Sequence, residues 1–132
     1  MVPYLHGLPT FLPMTIAAIE DSGARELREH VHAADTAAGE CWNGLLAGCN
    51  APGRRALPGR LRVLSAVVGE FAGHDWWMSD GIVHRRRVLE AQLRIDGAVS
   101  EGDGAEFAEA FVGYDQAVAT VVVNVANRLG TS

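Results

Sequence analysis

The sequence contains no lysine; all eleven basic residues are arginines. That excludes a lysine Schiff base and a lysine ammonium set on a nucleotide phosphate. Cysteine is nearly as scarce. Cys41 and Cys49 stand eight positions apart, which is about 12 Å of rise on a straight helix. That span is too long for a disulfide, so two free thiols in a reducing, cytoplasmic setting are expected. Surrounded by apolar residues, both thiols are predicted to be inert. There is no C-x-x-C pair, no G-x-S-x-G elbow and no glycine-rich phosphate loop, so the usual zinc, serine-hydrolase and nucleotide signatures are absent. No apolar run approaches eighteen residues, and no membrane span is expected. The opening "MVPYLHGLPTFLPMTIAAI" is apolar, but it lacks a basic start and a small-residue cleavage site and is interrupted by prolines. It does not read as a signal peptide. Positive charge is also short: the net charge is −5, which disfavours the counterion release that drives broad nucleic-acid binding.

What is present points to one globular domain over residues 1–132. The chain is 48% apolar and 20% charged, within the range that can bury a core unaided. Its richness in alanine, glycine and arginine suggests a high-GC genome, bacterial or phage. Turn chemistry marks three stops: "DSG" at 21–23, "GCNAPGRRALPG" at 48–59, and "SEGDG" at 100–104. In the last, Gly102 is expected to end one helix and Asp103 to cap the next.

Between the stops the apolar period is helical. Leu27, Val31, Ala34, Ala38, Cys41 and Leu45 form one stripe, and Phe107, Phe111, Tyr114, Val118, Val121, Val125 and Leu129 form another. The β-branched run at 118–125 would suit a strand, but the unbroken stripe and the lack of a partner strand favour a helix. Residues 60–99 place Leu64, Val68, Phe71, Met78, Ile82 and Leu89 in one seam, with Asp75 and Arg85 inside it. A break near Ser79–Gly81 is expected there. Asp75 and Arg85 would pair across it or meet charges on a second subunit. A short helix over 10–20 would be capped by Thr10, with Pro13 in its first turn. The expected fold is all-α, an antiparallel bundle of four or five helices with short connections.

"HDWWMSDGIVHRRR", residues 74–87, holds the candidate chemistry. If 60–88 is one helix, Glu70, His74, Trp77, Gly81 and His84 share a strip, and Gly81 leaves a notch. That strip could take a flat organic molecule or a metal, with Glu70, His74 and His84 as weak metal candidates and Glu29, His30, His32 and Asp35 as neighbours. The spacing argues against a metal. Glu70 to His74 is four positions, not the three of Glu-x-x-His bundles. The plainer reading has Trp77 at the core edge, His74 bonded to Glu70 and His84 facing water. Arg85, Arg86 and Arg87, with Arg54, Arg55, Arg60 and Arg62, could grip phosphate or an acidic partner; the plainer reading is a solvated helix face, with Glu90 four after Arg86 for ordinary ion pairing.

Trp42–Asn43–Gly44 resembles the W-x-G turn motif of helical-hairpin substrates of type VII secretion. Trp42, however, falls inside a predicted helix, and no acid stands four residues after Tyr114. The functional expectation rests on residues alone. It is a non-catalytic protein-interaction or regulatory protein, a homodimer, with no cofactor and no nucleic-acid or membrane partner. Its contact residues would be Glu70, His74, Trp76, Trp77, His84, Arg85 and Arg86. Trp76 and Trp77 lie about 100° apart on a helix, so one should approach the surface, where aromatics beside arginines anchor interfaces. The alternative is a small-ligand or metal-binding bundle built on the Glu70/His74/Trp77/His84 strip.

Overall fold

A computed structural model describes residues 9–48 and 52–130. Among them are six helices and no strand: α1 (Pro13–Ser22), α2 (Arg25–Ala47), α3 (Pro52–Ala72), α4 (His74–Met78), α5 (Ile82–Glu101) and α6 (Gly104–Gly130). The all-α expectation holds, including helix where 118–125 is β-branched. The number of helices exceeds the expected four or five because α4 is a separate piece of five residues.

The stripes bury as their spacing requires. Leu27, Val31, Ala34, Ala38 and Cys41 are fully buried on α2. On α6, Phe107 through Val125 are buried, but Leu129 is 69% exposed, so that seam ends a turn early. Gly23, Gly48 and Gly102 close α1, α2 and α5 in the left-handed conformation, which glycine adopts without the Cβ penalty. Asp103 accepts a hydrogen bond from the Glu106 amide at 3.0 Å and caps α6 as expected.

Three local expectations are corrected. The stretch 48–59 is not all loop, since α3 begins at Pro52 and carries Pro58 inside it. A proline there removes one helical bond and costs about 3 kcal/mol. Burial of Leu57, Leu61, Leu64 and Val68 along the same face outweighs it. Cys49 lies outside the described residues. Thr10 does not cap α1; Leu12 stands at the N-cap and makes no side-chain cap bond. The cap comes from far along the chain instead. Asp115 of α6 accepts from the amides of Met14 (3.0 Å) and Thr15 (2.8 Å), and Asp35 of α2 accepts from those of Phe11 (2.7 Å) and Leu12 (3.0 Å). Finally, 60–99 breaks at Ser79–Gly81 as expected but also at Gly73, whose φ of +98° only glycine takes readily. Asp75 is therefore exposed and Arg85 half-buried, so neither charge sits in a buried seam.

Long-range bonds fix how the helices lie. Arg54 near the start of α3 donates to the Val99 carbonyl near the end of α5 at 2.9 Å. Arg128 near the end of α6 donates to Ala72 at the end of α3 at 3.2 Å. Gly53 lets α3 touch α2: a methyl group there would come within 2.7 Å of the Ala37 carbonyl and 2.8 Å of the Cys41 nitrogen.

Gly53→Ala should therefore lower stability by about 1–3 kcal/mol despite its better helix propensity. On the same helix, Gly59→Ala meets only an arginine tip at 3.7 Å and should gain about 0.5–1 kcal/mol. Urea titration of the two variants checks the contrast. Asp115→Ala strands one buried and one part-buried amide and should cost about 2–3 kcal/mol in the same assay, with Asp115→Asn intermediate.

Candidate functional site

Where α5 and α6 pack, small residues leave a channel. Ala91 on α5 and Gly113 and Ala117 on α6 floor an open groove of about 960 Å³. Met14, placed by the Asp115 cap, closes one side, and Leu93 stands at its edge. Met14 is 50% and Leu93 68% exposed. Polar groups of both signs line the rim: His84, Arg87, Glu90 and Arg94. Arg94 is held by a two-pronged bond to Glu106, through Nε at 2.9 Å and Nη2 at 2.8 Å. That pairing keeps the Glu106 carboxyl below the ordinary carboxylate range and fixes the guanidinium at the groove's edge. A second, smaller groove of about 440 Å³ runs between α1 and α6 past Met14, Ala17, Ala119 and Val123. An apolar channel with a polar rim suits the side chains of a packed helix.

The strip proposed from one continuous helix does not form, because the chain turns at Gly73 and again at Ser79–Gly81. Glu70 is exposed and lines a cleft with Glu26, Val67 and Phe71. His74 is exposed on α4. Trp77 is buried, its indole pressed on Gly69 of α3. His84 lines the α5–α6 groove. Among the described residues no three His, Cys, Asp or Glu side chains come together as a metal site.

Of the two adjacent tryptophans, Trp76 is the outer one, and it is half-buried. Its ring stacks on His84 (5.7 Å between centroids, 16° between planes) and carries the Arg128 guanidinium at 4.3 Å. Gly81 lies against the ring, where a methyl group would come within 2.5 Å. Trp76 thus ties the α4–α5 turn to the end of α6, a cation–π contact worth about 0.5–2 kcal/mol. Arg85 is half-buried and Arg86 exposed, both on the first turns of α5. Cys41 is buried, and burial pushes its thiol up to about 11, as the inert-thiol reading expects.

The interior holds a polar cluster that sequence reasoning missed. Ser65 donates to Gln92 Oε1 at 2.7 Å. Having spent its proton there, Ser65 must accept from the Tyr114 hydroxyl, 2.9 Å away. Burial raises the Tyr114 pKa, and the negative charge of Asp96 raises it further. Asp96 is half-buried, and its Oδ1 is enclosed with no hydrogen-bond partner. Desolvation lifts its carboxyl above the ordinary range, opposed by Arg62. The missed signal was the placement of Gln92 and Asp96 one turn apart on the face of α5 that also carries buried Val88, Ile95 and Val99.

No family model, curated protein or solved structure matches this chain.

A carboxyl with a raised folded-state pKa favours the fold fully below its unfolded value, and that contribution is lost as pH rises through the folded one. Stability should accordingly decline as pH climbs through the range just above ordinary carboxylates. Asp96→Asn should remove that slope and raise the melting temperature near neutral pH by roughly 2–5 °C. Thermal melts at several pH values check both; a variant that melts lower at neutral pH refutes the assignment.

Proposed function

We propose that this chain acts without catalysis, by holding another protein molecule against the face formed by α5, α6 and the start of α1. The observation that carries this is the α5–α6 groove, with its small-residue floor and its exposed Met14 and Leu93 beside a charged rim. Asp96 aside, the interior polar groups described above are engaged in holding helices together, and the structure gives no reason internal to the fold for Leu93 to stand in water. Exposed apolar groups ringed by polar ones mark contact sites. The occupant this surface fits is an amphipathic helix, with apolar residues a turn apart to enter the channel and an acidic residue to meet the arginines. Trp76, committed to His84 and Arg128, acts behind this face as a brace.

A photo-activated cross-linker placed at Leu93 tests the reading in cells producing the chain. Discrete protein adducts should form at position 93. The same probe at Val63, an equally apolar exposed position on α3 (47% exposed), should give none. Equal yields at the two positions, or no adduct at 93, would sink the proposal.

A further inference from the structure

We infer that the outer face of α5, which shares Glu90 and Leu93 with the groove wall, seats α5 of a second copy of the chain, running antiparallel about a two-fold axis beside Val88. The inference rests on the protein-binding reading of the α5–α6 face.

Val88 is fully buried, so the residues opposite it on α5 define the outer face. With about 100° per residue, positions two and five away on either side fall within about 40° of that opposite direction. They are Arg86 and Glu90, and Val83 and Leu93. Val83 is 49% and Leu93 68% exposed, and Arg86 and Glu90 are both exposed. The order along the helix is apolar, basic, acidic, apolar. Turned end for end about the level of Val88, the same order becomes its own complement. Val83 meets the partner's Leu93, Arg86 meets the partner's Glu90, and each contact occurs twice, as a two-fold interface requires. Gly97, whose added methyl would meet nothing within 4 Å, keeps the far end of the strip low. Glu90 and Leu93 belong both to this strip and to the groove wall, so the two surfaces adjoin.

The charge pattern selects this occupant over a strongly acidic one. The strip carries one positive and one negative side chain, so it is locally neutral and matches itself. Two whole chains, each of net charge −5, repel at a distance. Association therefore depends on local opposite charges, and the reciprocal pair supplies them.

Analytical ultracentrifugation tests the inference, with circular dichroism confirming that each variant stays helical. The unsubstituted chain should sediment at twice 14.1 kDa. Arg86→Glu sets two acids against each other at both ends of the contact, and Glu90→Arg sets two arginines. Each should weaken self-association by about tenfold or more. Mixed in equal amounts, the two variants should recover the dimer, because the wholly acidic strip of one then faces the wholly basic strip of the other at both ends. Effects confined to one helix cannot produce that recovery. A monomeric unsubstituted chain, a dimer indifferent to both substitutions, or a mixture that stays monomeric would each overturn the inference. In the first of these cases, cross-linking at Leu93 to a protein of different mass would leave the protein-binding reading standing.

Discussion

Two carboxylates hold the start of α1, and much of the packing follows from them. A helix opens with unpaired amides and a partial positive charge. In α1 Pro13 has no amide to satisfy, Ile16 bonds the Leu12 carbonyl at 2.9 Å, and Asp115 takes the two amides between. Asp35 takes the two before them. The Thr15 hydroxyl donates to the Asp115 carbonyl at 3.2 Å, adding a third tie to α6. Asp115 is 3% exposed. So deeply buried a carboxylate is tolerable because backbone donors and the helix dipole stand in for water. The clip sets Phe11 among Trp42, Phe107 and Phe111, at centroid separations of 5.3–5.8 Å. It also places Met14 at the head of the α5–α6 groove.

The same division of labour runs through the molecule. Buried polar groups join helices that share no sequence neighbourhood: Ser65, Gln92 and Tyr114 link α3, α5 and α6. A buried polar set of this kind penalises a slip of one helix past another, since a shifted partner leaves a hydroxyl or amide unsatisfied. Arg54 and Arg128 serve the helix ends, each donating to a carbonyl near the C-terminus of a neighbouring helix. Arginines that looked like a possible anion grip are partly spent on structure. Arg86 and Arg87 remain on the exposed side of α5, next to the apolar groups the fold leaves uncovered.

Helix content and most of the core were legible, because burial along a helix imposes a spacing that survives in the sequence. Leu27 to Cys41 and Phe107 to Val125 show it. The cap at Asp103 was legible for the same local reason: its partner amide lies three residues away. The cap of α1 was not, since its donors and acceptors are 100 or so residues apart and nothing local links them. A sign was present all the same. A helix beginning at a proline without a capping side chain needs an outside acceptor, and Asp115 is a lone acid in an apolar stretch of α6. The start of α3 is masked by the turn residues of 48–59, and only the leucines at 57, 61 and 64, fully buried along one face, reveal the helix. The candidate strip fails at two turns: Ser79–Gly81, which the sequence marks, and Gly73, which nothing beside it marks.

That glycine decides what the outer surface carries. The buried face of α3 runs Leu57, Leu61, Leu64, Val68. Continued as one helix, the same phase would carry Phe71, Asp75, Met78, Ile82, Arg85 and Leu89, forcing two charges inward. The turns at Gly73 and Ser79–Gly81 reverse the chain and reset the phase, so α5 buries Val88, Gln92, Ile95 and Val99. Reversal brings Gln92 to Ser65 and the end of α5 to Arg54. The reset relieves the core of Asp75 and Arg85, and by the same rotation it turns Val83, Arg86, Glu90 and Leu93 outward. An exposed strip of two apolar and two opposite charges is thus a geometric consequence of how α5 seats its buried face. Its composition is not. The outward positions admit any polar residue, and Val83 and Leu93 are larger and more apolar than solvation of that face requires.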